Sequence, residues 1–272
     1  MKDIIKILPE NISNQIAAGE VVQRPSSLIK ELIENSIDAS SDRIQIYLNE
    51  SGKKSIRVVG NGIGMSKNDL MVCCLRHATS KITETKDLFS IRSKGFRGEA
   101  LSSIAAVSHL EIVTKRRVDN FGYKLKIKAG KVHSNEKVVS EVGTSVLVKN
   151  LFYNVPARRN FLKSDSVELR HIINEFQRIS IAHCDLNISL NHNKSEIFSL
   201  SKSSIHLRIK NIFGRKIEEN LIPINEKTSF VKISGYIIKP EASKKTRAMQ
   251  FLFVNNKYIK NNFLFHAINK AY

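Results

Sequence analysis

The chain has 272 residues, 42% of them hydrophobic and 25% charged, a globular composition that excludes wholesale disorder. Lys and Arg number 44 against 25 Asp and Glu, a formal charge of +19; this points to a polyanionic partner, nucleic acid before membrane, or equally to mutational drift toward lysine. Three cysteines, two of them adjacent, and no apolar run near ~18 residues exclude a disulfide scaffold and a membrane span and lead to the expectation of a soluble, cytoplasmic protein.

Pro25 opens a predicted helix over residues 26–39, with Leu28, Ile29, Leu32 and Ile33 at helical spacing. Residues 43–50 alternate Ile44, Ile46 and Leu48 as a strand, and residues 55–59 form a second. Ser66 and Asp69 have capping-box spacing and predict a helix through His77. A helix over 99–107 and a strand over 110–114 follow. Residues 121–128 and 131–139 read as a hairpin around Ala129-Gly130, with Lys124, Lys126 and Lys128 on one face; a solvated edge is the preferred reading of that face.

A strand over 143–148, a helix over 164–182 carrying Ile172, Phe176 and Ile179, and a hairpin over 185–200 around His192-Asn193 complete the first part. Residues 201–204 form the expected boundary between domains of residues 1–202 and 203–272. Beyond it come a helix over 204–213, strands near 230–239 and 247–254, and a helix entering Tyr272. The second domain is short, which leads to the expectation of a fragment. Helices following groups of antiparallel strands indicate an α+β class. There is no Gly-x-x-x-x-Gly-Lys-Ser/Thr loop, so a P-loop site is excluded.

Glu31, Asn35 and Asp38 fall at i, i+4 and i+7 on the first of these helices. A carboxylate one turn from a carboxamide suits two tasks at one site: deprotonating a water, and ligating a Mg²⁺ that also takes phosphate oxygens. A polar outer helix face with no task fits the same pattern. Gly60-Asn61-Gly62-Ile63-Gly64 ends the second strand, and its glycines let a ligand approach the backbone. Gly95 and Gly98 precede the helix at 99–107, where exposed amides favour a phosphate.

Asn14-Gln15-Ile16-Ala17-Ala18-Gly19-Glu20-Val21-Val22, Arg24-Pro25 and the run from Lys30 to Ala39 resemble the MutL family of DNA mismatch repair proteins. So do Arg76 to Ile82, Gly95 to Leu101, and Leu151-Phe152-Tyr153-Asn154-Val155-Pro156-Ala157-Arg158-Arg159, all in family order. The resemblance implies a GHKL-type (Bergerat) ATP-binding α/β sandwich followed by an incomplete ribosomal-protein-S5-like domain. It implies ATP and Mg²⁺ as cofactors, Glu31 as general base and Asn35 as the Mg²⁺ ligand. Gly60, Gly62, Gly64 and Thr144 would line the adenine end. Thr79, Ser80 and Lys81, with Gly95, Phe96, Arg97, Gly98 and Leu101, would form the lid around the phosphates. Lys163 and Lys257 sit at the family's DNA-contacting positions.

The implied partners are DNA, a mismatch-recognition protein of the MutS type, downstream nuclease and helicase, and a second copy in an ATP-dependent N-terminal dimer. Neither the family's C-terminal endonuclease region nor its γ-phosphate lysine falls within the 272 residues. The family has Asp where this chain has Gly60. Losing that charged hydrogen bond to adenine costs ~1.5–3 kcal/mol, roughly 10- to 150-fold in affinity. Two functions therefore stand side by side: an ATP-switched matchmaker with weak ATPase activity, and a nucleotide-independent DNA-binding or assembly module.

Overall fold

The computed structural model describes residues 6–82, 84, 86–87, 93–243 and 249–271, with the backbone alone for Glu10 and Asn11. The chain divides into two compact units, Met1–Glu175 with Ile188–Ser199 and Phe176–Asn187 with Leu200–Tyr272.

The first unit is built on an eight-stranded sheet. Its strands are β1 (Arg43–Asn49), β2 (Ser55–Gly60), β3 (His109–Lys115), β4 (Gly122–Lys128), β5 (Lys131–Val138), β6 (Gly143–Lys149), β7 (Asn187–His192) and β8 (Ser195–Leu200). They lie in the order β5-β4-β3-β6-β2-β1-β7-β8. Strand β1 is buried at every second residue, so Ile44, Ile46 and Leu48 face inward as the alternation predicts. Helix α2 (Pro25–Asp38) packs against β2 and buries Leu28, Ile29, Leu32 and Ile33, each at most 2% exposed. Each such side chain contributes about 1.5–3 kcal/mol on burial. Helix α4 (Ala100–Val107) adds Ile104 and Val107, also fully buried.

Helix α3 (Lys67–Val72) carries the full capping box, Ser66 Oγ accepting from Asp69 N–H and Asp69 accepting from Ser66 N–H. It ends at Val72, five residues short of the sequence expectation. His77 takes a positive φ of 63° and donates its N–H to Gly98 O, so the chain leaves the helix to pair with the loop before α4. Among the elements that the sequence reading did not foresee are α1 (Glu10–Val21), α5 (Pro156–Phe161) and, in the second unit, β9 (Leu221–Lys227). Lys124 reaches Glu111 and Glu136, and Lys126 reaches Glu136, so two of the three lysines on the β4 face are paired across strands.

Helix α6 (Asp165–Ala182) supplies residues to both units. The second unit also holds α7 (Ile205–Phe213), α8 (Arg215–Glu218), a β9–β10 ladder with β10 at Lys232–Ile238, the two-residue strands β11 (Phe253–Val254) and β12 (Lys257–Tyr258), and α9 (Asn262–Ala271). The strand expected over 247–254 shrinks to β11; its residues 247–248 lie outside the described residues. Arg208 is fully buried in this unit and donates to Cys184 O at 3.0 Å and Leu186 O at 2.7 Å. Arg178 lies over the Tyr258 ring at 4.2 Å.

The mixture of helices with a sheet paired antiparallel from β5 through β1 is the expected α+β class. Among the described residues, no helix is long and apolar enough to cross a membrane.

Candidate functional site

Helix α2 buries one stripe and turns Glu31, Asn35 and Asp38 away from it. Glu31, 26% exposed, pairs with Lys30 at 3.3 Å; Lys30 also reaches Glu34 at 3.3 Å. Burial pulls the Lys30 ammonium down, but Glu34 and Glu31 outweigh it and hold the pKa above the usual lysine value. Glu31 opens on a cavity of about 230 Å³ lined by Glu20, Gln23, Ser27, Lys30 and Glu175 among others.

One turn on, Asn35 Oδ1 accepts from Lys81 Nζ at 3.1 Å. Asp38 collects three donors: Lys81 Nζ at 2.5 Å, Lys94 N–H at 2.9 Å and Gly95 N–H at 3.3 Å. The two segments read as a lid, around Lys81 and around Gly95, therefore meet on one carboxylate. A second tie joins them, since His77 N–H donates to Gly98 O at 3.1 Å. Gly98 has φ 64°, and a Cβ there would lie 2.5 Å from Ala78 O, so this approach requires glycine.

Thr79 Oγ1 accepts from Lys81 N–H at 3.2 Å, while Ser80 and Arg97 are exposed. The Arg97 guanidinium stands 5.8 Å from the Phe96 ring, and Leu101 is half-buried in the first turn of α4.

At the other end, the sheet register sets Gly60 opposite Thr144 and Thr144 opposite Thr114. Thr114 Oγ1 donates to Gly143 O at 3.0 Å and accepts from Met65 N–H at 2.9 Å. Its only proton is thus committed, so Thr144 must donate across their 2.8 Å contact. Thr144 Oγ1 is then left with lone pairs alone, so any further hydrogen bond it makes is as an acceptor.

A side chain at Gly60 would begin 2.7 Å from Ser41 Oγ and 3.1 Å from Ser36 Oγ. Asn61 does not stand in: its Oδ1 accepts from Asp42 and Arg43 N–H, and its Nδ2 donates to Asp42. A Cβ at Gly62 would lie 2.3 Å from Ala39 O, and one at Gly64 2.2 Å from Lys115 O; the turn packs on backbone at both.

Among the described residues no cluster of three His, Cys, Asp or Glu could hold a metal ion. A Mg²⁺ nevertheless fits Asn35, whose oxygen is a hard donor already turned to a cation, the Lys81 ammonium. The predicted residues thus form two groups. Asn35, Lys81 and Gly95 gather around Asp38, and Gly60 and Thr144 pair on the sheet. Lys163 belongs to the first unit and Lys257 to the second, both exposed. Sequence reasoning noted Asp38 only as part of a polar stripe and missed Ser41 and Thr114. The spacing that flagged Glu31 and Asn35 reaches Asp38 as well, whereas Ser41 and Thr114 carry no local signal.

Residues 23–152 match the family model described as histidine kinase-, DNA gyrase B-, and HSP90-like ATPase. Residues 209–272 match that of the DNA mismatch repair protein, C-terminal domain. The chain is 54% identical over its whole length to the DNA mismatch repair protein MutL of Christiangramia forsetii and 53% identical to that of Flavobacterium psychrophilum. It spans 44% of the length of each.

Among solved structures, the Aquifex aeolicus MutL ATPase domain complexed with ADP superimposes with a TM-score of 0.74 at 24% identity, over 93% of this chain and 89% of that one. The N-terminal domain of a DNA repair protein superimposes with a TM-score of 0.80 at 26% identity, over 94% of this chain and 80% of that one. Together with the motifs in their order along the chain, these matches identify it: the chain belongs to the MutL family of DNA mismatch repair proteins.

Proposed function

We propose that this chain is the nucleotide-operated part of a mismatch repair factor, binding Mg²⁺-ATP between α2, the Gly60–Gly64 turn and the segments around Lys81 and Gly95. One observation carries the reading. A carboxylate and a carboxamide on α2 gather Lys81 Nζ and the N–H groups of Lys94 and Gly95, the donors that a triphosphate needs in one place.

Within this reading each residue has a task. Glu31 takes a proton from the attacking water, since its carboxylate faces a cavity rather than the core. Asn35 holds the Mg²⁺, which neutralises phosphate charge when bound. Gly95, Phe96, Arg97 and Gly98 offer backbone amides to the phosphates, with Thr79, Ser80 and Lys81 on the opposing arm and Leu101 packed behind. Thr144 supplies the acceptor for the adenine amino group that Gly60 lacks. Gly62 and Gly64 keep the turn close to the backbone.

Closure of the two arms over nucleotide would create the surface for a second N-terminal copy. That switch would couple a MutS-type recognition protein to nuclease and helicase steps. DNA would be held through phosphate contacts, with Lys163 and Lys257 among them, in a domain arrangement of residues 1–202 and 203–272.

Calorimetric titration with a non-hydrolysable ATP analogue and Mg²⁺ tests this directly. Saturable binding that Glu31→Ala preserves while ATP hydrolysis is lost is the expected result. Hydrolysis as fast in Glu31→Ala as in the parent overturns the assignment of the base.

A further inference from the structure

Lys81 is a cation already seated on the oxygen that the nucleotide reading assigns to Mg²⁺. Its ammonium touches Asn35 Oδ1 at 3.1 Å and Asp38 Oδ2 at 2.5 Å, and the two side chains of the ion pair are 20% and 11% exposed. An enclosed carboxylate left without a counter-ion is strongly disfavoured, so some cation belongs here in every state of the site. A divalent ion on Asn35 and an ammonium on the same oxygen repel each other across a few ångströms. They cannot both stay.

We propose that Lys81 is the resident cation of the Asn35–Asp38 pair, and that loading of the site is a cation exchange. When nucleotide arrives, the ammonium swings off Asn35 onto a phosphate and a divalent ion takes its place. The inference rests on the nucleotide reading for the direction of the swing, while the occupancy of Asn35 stands on geometry alone.

Three features suit Lys81 to this role. Its ammonium has three donors and spends two on Asn35 and Asp38, leaving one for an incoming anion. Among the described residues, chain neighbours aside, Lys81 Nζ is also the atom within 4 Å of the place of a Cβ on Gly95, at 3.8 Å, so the ammonium lies beside the loop that the nucleotide reading assigns to phosphate. Asp38 would still hold the loop after the exchange, because Lys94 N–H binds its other oxygen independently of Lys81.

The exchange makes a prediction in the absence of nucleotide. With Lys81 in place, a free divalent ion finds Asn35 taken; with Lys81→Met, Asn35 and Asp38 become a two-oxygen site with uncompensated charge. Mn²⁺ alone, titrated into the full chain and followed by electron paramagnetic resonance, reads this without any catalysis. Lys81→Met is expected to bind Mn²⁺ roughly ten-fold or more tighter than the parent. The double variant Lys81→Met/Asn35→Ala is expected to return to the parent level. Lys81→Gln repeats the test if Lys81→Met loses the native circular dichroism.

No gain in Mn²⁺ affinity in a folded Lys81 variant overturns the proposal, as does a gain that survives Asn35→Ala. Titration of the parent with the ATP analogue and Mg²⁺ separates the two levels. A Mn²⁺ gain in a chain that binds no nucleotide keeps the resident cation and removes the nucleotide reading. Nucleotide binding without a Mn²⁺ gain does the reverse.

Discussion

Arg158 lays its guanidinium over Gly19: a Cβ built on that glycine would stand 1.2 Å from Nη2, 1.7 Å from Cζ and 1.9 Å from Nη1. Two motifs more than a hundred residues apart, the one around Ala18-Gly19-Glu20 and the one around Pro156 to Arg159, are thus halves of a single contact. The arginine needs bare helix backbone to lie on. Helix α1 accepts a glycine in its last turn at a cost of ~0.5–1 kcal/mol relative to alanine.

Gly19→Ala therefore sets two effects against each other. Alanine favours the helix, yet its methyl overlaps the whole head group and must expel it, at ~1–3 kcal/mol as for other overpacked sites. The single variant is expected to be less stable in urea unfolding. In an Arg158→Ala background the same change is expected to stabilise by ~0.5–1 kcal/mol, since only the helix preference remains. An effect of the same sign in both backgrounds would show that the contact does not decide the residue.

Gly60 and Ser41 form a second such pair. Since a Cβ at Gly60 would come within 2.7 Å of Ser41 Oγ, restoring an aspartate there requires the serine to yield. Gly60→Asp alone is expected to lose ~1–2 kcal/mol of stability, and Gly60→Asp/Ser41→Ala to recover most of it. The double variant is also expected to bind the ATP analogue roughly 10- to 100-fold more tightly than the parent in calorimetry. Equal affinities in all three proteins would remove the adenine end from the Gly60–Thr144 pair.

The core and the site differ in how far they could be read in advance. Ile44, Ile46 and Leu48, or Leu28 to Ile33, carry their burial in a local period, and the strands and helix they predict are present to within two residues. Glu31, Asn35 and Asp38 share a face for the same reason. The partners of Asp38 are 43 to 57 residues away in sequence and become visible only once the loop closes on α2. Helix α1 was missed because glycine and a β-branched end weaken its propensity, and its order depends on packing such as that of Arg158 on Gly19. The overlong α3 is the converse error, a sound start signal whose end was set by the distant Gly98.

The cap of α3 offers a test of local structure apart from the site. Ser66 Oγ accepts from Asp69 N–H at 3.0 Å, and Asp69 accepts from Ser66 in return. Ser66→Ala is expected to cost about 1 kcal/mol in urea unfolding. The hydrogen bonds from the Ser66 hydroxyl and N–H hold the Asp69 carboxyl below its usual pKa. A carboxylate depressed in the folded state stabilises above its unfolded pKa and loses that contribution as pH falls through the folded value. The penalty of Ser66→Ala is therefore expected at pH 7 and to shrink in acid below about pH 4. A penalty independent of pH would uncouple the carboxylate from the cap.

His109 makes the opposite end of the sheet sensitive to mild acid. It pairs in register with Lys128 on one side and Lys149 on the other, and its ring meets the Tyr153 ring edge-on at 4.4 Å. Nδ1 lies 3.4 Å from the Asn150 amide nitrogen, a donor, and Nε2 is buried without a hydrogen-bond partner among the described residues. A second ring proton would thus face an N–H on one side and no acceptor on the other. Burial, then Lys128 and Lys149, push the His109 pKa below the usual histidine value.

The unfolded chain takes up a proton at this residue near pH 6.5 while the folded chain resists. Its contribution to stability is then whole above about pH 6.5 and declines as pH falls through the folded value. Urea unfolding at pH 7.5 and 5.5 is expected to show a smaller difference in His109→Gln than in the parent. Lys149→Gln, which removes one of the repelling charges, is expected to raise the His109 titration point seen by nuclear magnetic resonance and to flatten the same slope. An unchanged titration in Lys149→Gln would leave the shift to burial and Lys128.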